Sequence, residues 1–188
     1  MSLAESSFLP LSTPFTGLDD ISGAVVESAA FRNAMRHLAG AVSVVTVGRG
    51  ADRTGFTATS VSSLSAEASS IIVSLNRTSS SWPVVQRHGS FCVNILSDDQ
   101  QQIAENFAGK GGIQGVDRYE GARWREFTTG ALGLADALAV LDCQLEEAIS
   151  RHSHSILIGR VRAVALRAEA KPLLYWHGAY RRLTDRTA

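Results

Sequence analysis

Four groups of residues have types and spacings that could do chemistry. The first is the hydroxyl-rich stretch Thr57-Ala58-Thr59-Ser60-Val61-Ser62-Ser63. Small side chains let a flat heteroaromatic ring approach the backbone, whose N–H and C=O groups can pair with the ring's polar edges. The same composition also describes a solvated strand. The second group is Asn76-Arg77-Thr78-Ser79-Ser80-Ser81, just before Trp82-Pro83. Hydroxyls, backbone N–H groups and the positive end of a helix suit a phosphate. Arg77 or Arg87 could add charge, and plain helix capping is the structural alternative. The third is His152 and His154, which lie on one side of a strand if the strand begins this early. A metal pair needs a third ligand, and no recognisable spacing supplies one, so no metal is expected. A histidine lining a ligand pocket and a surface histidine both stay open. The fourth is Tyr175, Trp176, His177, Tyr180 and Arg181, aromatics suited to a core, a dimer interface or ring stacking on a ligand. No serine sits in a GxSxG elbow. There is no GxxxxGK[ST] and no GxGxxG after a strand, which excludes a P-loop and a Rossmann-type dinucleotide site.

These groups need elements to hold them. The pattern predicts a helix from Ser28 to Leu38, with Ser28 as cap and Phe31, Met35 and Leu38 on one face. Ala41–Val47 is β-branched and reads as a strand, followed by a turn over residues 48–53. Thr54–Ser63 reads as one strand with a wet face. Ile71–Leu75 is a buried strand. Ser80 or Ser81 caps a short helix from Trp82-Pro83 to Gly89. Phe91–Leu96 is a strand with one polar insertion, Asn94. Ser97 or Asp98 caps a helix through Phe107 to Gly109, and residues 109–121 read as a mobile loop. Trp124 and Phe127 sit near a short strand. Ala137–Ile149 and Ser155–Leu166 are strands, the second alternating strongly. Leu173–Trp176 and Ala179–Leu183 form a last hairpin. Residues 1–26 read as a flexible arm and 27–188 as one domain. No strand–long helix–strand repeat occurs. The expected fold is mainly β with peripheral helices, a Greek-key antiparallel barrel.

Bulk properties narrow the function. The chain has 188 residues, 45% of them hydrophobic, and a formal net charge of zero. A nucleic-acid binder usually carries a basic excess, so no nucleic-acid partner is expected. Cys92 and Cys143 lie in apolar stretches and read as reduced core thiols, consistent with a cytoplasmic protein. No secretory signal and no apolar run of about 20 residues is visible, so no membrane association is expected.

The motifs, taken in order, resemble the flavin reductase family that forms the small component of two-component flavin-dependent monooxygenases. Gly55-Phe56-Thr57-Ala58-Thr59-Ser60-Val61-Ser62-Ser63-Leu64-Ser65 comes first. Val73-Ser74-Leu75-Asn76 and Ser79-Ser80-Ser81-Trp82-Pro83 follow. Next come Gly89-Ser90-Phe91-Cys92-Val93-Asn94-Ile95-Leu96, then Gln100, Ala104 and Phe107-Ala108-Gly109. Leu141-Asp142-Cys143, His154 before Ile156-Leu157-Ile158-Gly159, and Pro172-Leu173-Leu174-Tyr175 with Gly178-Ala179-Tyr180-Arg181 complete the series. The match spans roughly residues 31–183.

The resemblance implies a homodimer of FMN-binding split β-barrels, with FMN or FAD in a groove near the dimer interface. It places the flavin ring on Thr57, Ala58, Thr59 and Ser60, with Ser62 and Ser63 beyond them. The ribityl and phosphate would reach Asn76, Arg77, Ser79, Ser80 and Ser81. Asn94, Phe107, Tyr180 and Arg181 are further cofactor-binding candidates within the matched motifs. The family's Gly-Asp-His element lines the nicotinamide side. His154 sits at its histidine, as the residue beside the catalytic step, while His152-Ser153 replaces Gly-Asp. The implied reaction is hydride transfer from NADH or NADPH to flavin, with the reduced flavin passed to a separate oxygenase. Such a step needs stacking at reacting distance and donors near the flavin's polar edge. It needs no protein acid or base, so His154 orients rather than protonates. A flavin-binding barrel without turnover is the alternative, and a pyridoxamine-phosphate-oxidase-like enzyme a third.

Overall fold

The β-branched run at residues 41–47 sets the architecture, because both faces of it are apolar and both must be covered. The computed structural model describes residues 26–167 and 170–184. The expected arm at 1–26 lies almost wholly outside the described residues. The elements are α1 (Ser28–Met35), β1 (Gly40–Ala41), β2 (Ser43–Val47), β3 (Thr54–Ala58), β4 (Ser62–Ser65), β5 (Ser70–Asn76), α2 (Ser81–His88), β6 (Ser90–Ile95), α3 (Gln101–Phe107), β7 (Trp124–Glu126), β8 (Leu132–Leu134), β9 (Ala139–Arg151), β10 (His154–Leu166), β11 (Leu173–Trp176) and β12 (Ala179–Arg182). The chain divides into two units, Met1–Met35 and Arg36–Ala188.

In the first unit, α1 is shorter than expected. The Glu27 carbonyl accepts the first helical bond, from Phe31, so Glu27 rather than Ser28 holds the cap position. No residue of α1 is buried, and Phe31 and Met35 of the expected apolar face are exposed.

In the second unit, seven strands pair antiparallel in the order β3-β2-β6-β9-β10-β5-β4. β3 and β4 are neighbours in sequence and stand at opposite edges of this sheet. The sheet therefore curls round until its edges face each other across Thr59–Val61 and does not close. The single strand expected over Thr54–Ser63 is two strands with a break between them. Ser60 sits at the break: its Oγ accepts from the Ser74 N–H (3.2 Å), with a longer contact to the Ser74 carbonyl (3.4 Å). Its side chain takes over the β5 ladder where the β4 backbone, paired as far as Ser62↔Ile72, has peeled away.

Two apolar clusters cover the two faces. Val45, Val47, Val73, Leu75, Phe91, Val93 and Leu157 fill one; Val44, Cys92, Leu96, Phe107, Tyr119 and Leu134 belong to the other. The switch between Val44 and Val45, and between Cys92 and Val93, is the period-two alternation of a strand. The long β9–β10 hairpin bends at two register shifts. At one of them Gly159 lets Phe91 approach, since a Cβ there would lie 2.5 Å from Phe91 Cζ.

Three further expectations change. Residues 109–121 form two 3-10 turns, Lys110–Gly112 and Gly115–Tyr119, rather than a free loop. The second turn is tied to β3: Tyr119 Oη donates to the Thr54 carbonyl at 2.7 Å, and Arg118 donates to the carbonyls of Gly55 (2.9 Å) and Phe107. Gln100, not Ser97 or Asp98, caps α3, and its Oε1 accepts from the Ser97 N–H. His152 lies off the strand, in the two-residue turn between the paired Arg151 and His154, with φ of 49°. The two histidines therefore do not share a strand face.

Candidate functional site

Three of the four sequence groups meet at one end of the curled sheet. Thr59 and Ser60 follow β3 at the opening, and Ser60 is fastened to β5 through Ser74. Asn76 ends β5 and is the cross-strand partner of His154. The Arg77 N–H donates to the Ser153 carbonyl at 2.9 Å, which ties the serine-rich turn to the histidine hairpin. Ladder pairing thus brings residues some 80 positions apart into one place.

The turn after β5 is built by its own side chains. Asn76 Oδ1 accepts from the backbone and the hydroxyl of Thr78, both at 3.0 Å, an Asx-type turn. Ser79 Oγ accepts from the Ser81 N–H at 3.2 Å and supplies the capping contact for α2. Ser80 stands at the cap position with a free hydroxyl, correcting the expectation that Ser80 or Ser81 caps through its side chain. Ser81 is fully buried, and its Oγ has no partner. Burial puts that hydroxyl out of a ligand's reach, so the exposed Ser80 and the half-buried Ser79 are the serines an anion at this helix start can meet.

The ledge at Thr59–Ser60 is equally open. Among the described residues, neither of these two residues bonds backbone to backbone, and both are exposed. Thr57 differs, because its Oγ1 donates to the Ala104 carbonyl of α3 at 2.6 Å. It holds strand to helix, and only its backbone is left for a ligand. Ala58 is buried at 8% exposure. Ser62 and Ser63 are exposed on edge strand β4.

Charge near the ledge is divided unequally. Arg87, one of the two cations expected to help, is bidentate on Asp52, with His88 Nε2 at 2.8 Å from the same carboxylate. The His88 hydrogen bond, then Arg87, holds the Asp52 carboxyl below its ordinary range. Arg77 is exposed beside the turn and, among the described residues, makes no side-chain ion pair. His154 is exposed, with Nδ1 2.9 Å from Ser153 Oγ. Ser153 can thus orient this imidazole where an aspartate stands in the resembled motif.

The remaining candidates lie elsewhere. Asn94 is fully buried, and its amide bonds to Val44, Thr46 and Leu134. Phe107 is 1% exposed and packs on Tyr119 and Trp124. Tyr180 and Arg181 lie on the separate β1-β11-β12 sheet. Tyr180 makes an edge contact with Tyr175 at 5.4 Å, and burial raises its phenol. That sheet touches the ledge, since a Cβ on Gly40 would lie 3.1 Å from Thr59 Cβ. Arg53 was missed in the sequence. It precedes the hydroxyl stretch, but an arginine in a turn carries no signal until its surroundings are known.

An antiparallel barrel left open between consecutive strands, with a polar backbone ledge at the opening, is a split barrel. The chain belongs to the flavin reductase like domain family, whose model matches residues 35–184. It is 38% identical over 161 residues to the FMN reductase (NADH) RutF of Methylorubrum extorquens, covering 84% of this chain and 78% of that one. Its fold matches BorF, the flavin reductase component of a bacterial two-component tryptophan halogenase. That TM-score is 0.77 at 30% identity, over 85% of this chain and all of BorF. It also matches the Streptomyces globisporus NADH:FAD oxidoreductase SgcE6, with a TM-score of 0.79 at 25% identity, over 92% and 100%.

Proposed function

We propose that this protein is an NAD(P)H:flavin oxidoreductase that reduces FMN or FAD and supplies the reduced flavin to a separate oxygenase. The observation that carries the reading is the meeting of three segments: the open ledge Thr59–Ser60, the Asn76–Ser81 turn and His154. Family membership and the NADH-dependent FMN reductases among its relatives support it. The bound flavin supplies the hydride acceptor and the nicotinamide the donor.

The chain's own residues bind and orient. The unpaired backbone at Thr59 and Ser60 faces the polar edge of the flavin ring. Asn76 holds the turn in shape, and Ser79 and Ser80 with Arg77 take the phosphate. His154, held by Ser153, lines the nicotinamide side. It is a positioning residue, since hydride transfer needs no proton from the protein.

A homodimer fits the shallow depression lined by Ile71, Leu141, Val161 and Val164 between β4 and β10. Val164 is 55% and Leu166 80% exposed, an apolar surface that a second copy would cover. Size-exclusion chromatography with light scattering checks this, and a monomeric mass overturns it. A cytoplasmic location fits two buried free thiols. Among the described residues, no helix is long and apolar enough to cross a membrane.

The decisive experiment adds FMN or FAD to the purified protein and follows NADH and NADPH absorbance. Consumption well above the flavin-only blank is expected. Flavin binding without consumption would instead favour a flavin-binding barrel, the outcome the His152-Ser153 departure makes worth testing. His154→Ala should raise the nicotinamide KM more than the flavin Kd. The reverse order would move this histidine to the flavin side.

A further inference from the structure

Arg53 stands outside the ion pairs formed among the described residues. No hydrogen bond or salt bridge engages its guanidinium among the described residues. The group lies over the Tyr119 ring at 5.2 Å, and its Nε is buried without a partner. A part-buried guanidinium with no counter-anion carries a desolvation cost that an anionic ligand offsets.

Two cavities meet at this arginine, and Val116 lines both. One, of about 430 Å³, is bordered by Thr54, Ser80, Gln114 and Gly115. Thr54 is 4% exposed, and its Oγ1 also lacks a partner. Asp52 reaches this cavity too, but its charge is met by Arg87 and His88. The other, of about 500 Å³, is bordered by Tyr119, Trp124 and Leu132, with Asp117 and Glu120 at its rim.

The polarity of the two spaces gives a ligand its direction. The side with Ser80, Thr54 and Arg53 suits phosphate. The side with Asp117 and Glu120 repels phosphate and accepts hydrogen bonds from an amine or from ribose hydroxyls. The walls of Tyr119, Trp124 and Leu132 suit a flat base. The Trp124 indole N–H is taken by the Tyr119 carbonyl at 2.8 Å, so that ring offers its surface alone.

We propose that the joined cavities form a subsite for the adenosine-phosphate end of a dinucleotide, with Arg53 as its anion anchor. The assignment deepens the flavin reductase reading and rests on it, because Ser80, in the turn given to the flavin's phosphate, also borders the smaller cavity. Adenosine phosphate is common to FAD and to the nicotinamide cofactors, and the two sources separate experimentally.

The probe is ADP, titrated calorimetrically into wild type and into Arg53→Met, each with and without saturating FMN. Wild type should bind ADP whether or not FMN is present. Arg53→Met should weaken ADP about tenfold or more, the scale of a lost charge-assisted bond, with an FMN Kd close to wild type. Val116→Trp, which fills the junction, should do the same if the arginine variant proves unstable. If FAD is the source, the FAD Kd rises in both variants and the NADH KM holds. If NADH is the source, its KM rises and the ratio of FAD to FMN affinity holds. Absence of ADP binding to wild type overturns the subsite, as does ADP binding indifferent to both substitutions. Competition between ADP and FMN also overturns it, by giving Arg53 to the flavin phosphate. Arg53-dependent ADP binding in a protein that ignores FMN would remove the flavin reductase reading and leave the subsite standing.

Discussion

Asn94→Ala separates a scaffold role from a ligand role at a position where sequence alone allowed both. Asn94 is fully buried in β6. Its Nδ2 donates to the Val44 carbonyl at 3.0 Å, and its Oδ1 accepts from the Leu134 N–H at 2.7 Å. A 3.4 Å contact to Thr46 Oγ1 is long enough to count for little. Alanine would strand the Leu134 N–H inside the apolar cluster and leave the Val44 carbonyl one bond short. A buried polar group without its partner costs roughly 1–3 kcal/mol. The carbonyl keeps a second lone pair in the sheet, so its share is at the low end. The sum is about 3 kcal/mol. For a chain of this size that lowers Tm by roughly 6–12 °C. The measurements are a thermal melt by circular dichroism and an FMN titration by fluorescence quenching on the same samples. FMN affinity should stay within about twofold of wild type, which is under 0.5 kcal/mol. An unchanged melt with a weakened FMN Kd would refute the reasoning, because the amide would then be serving the ligand.

Three further outcomes are expected. His152 occupies the first position of a two-residue hairpin turn at φ of 49°, where glycine is unstrained, so His152→Gly should stabilise the protein by roughly 0.5–1 kcal/mol in urea titrations. Burial pushes Cys143 up to about 12 and Cys92 higher still. Neither thiol should react with a disulfide reagent in the native protein at mildly alkaline pH, and both should react in denaturant. The Asp52 carboxyl is held below its ordinary value of 3.8, so its folded value lies under its unfolded one. Its contribution is complete above 3.8 and fades as pH falls below that. The stability gap between wild type and Asp52→Asn, from urea titrations across acid pH, should narrow in that window.

Short-range signals read well along this chain, and cross-sheet relations did not. Ile71–Leu75 and Ser155–Leu166 were readable because burial on a pleated surface writes itself as a run or an alternation. The Gly89 stop was readable because a left-handed residue at φ of 60° ends α2. Asn94 gave no such signal. A lone amide in an apolar strand looks the same whether it faces a cofactor or Val44 and Leu134, residues 50 and 40 positions away. Arg53 was silent for the same reason, since Tyr119 lies far along the chain.

The break at Thr59–Val61 was the least readable feature, and it matters most. Threonine and serine favour extended backbone throughout Thr54–Ser63, so local propensity carries the strand straight through. At the interruption the Ser60 side chain takes the place of a backbone group on β5, its Oγ accepting from the Ser74 N–H at 3.2 Å. Had the backbone of residue 60 paired with Ser74, β4 would have run two residues further along β5, and the N–H and C=O groups of Ser60 would have been consumed in the ladder. Because a side chain meets Ser74 instead, the β5 N–H there is satisfied while the backbone of Thr59 and Ser60 remains free. The end of β4 and the availability of the ledge therefore have one cause. It lies in the side-chain chemistry of a single serine, read only against a partner strand 14 residues on.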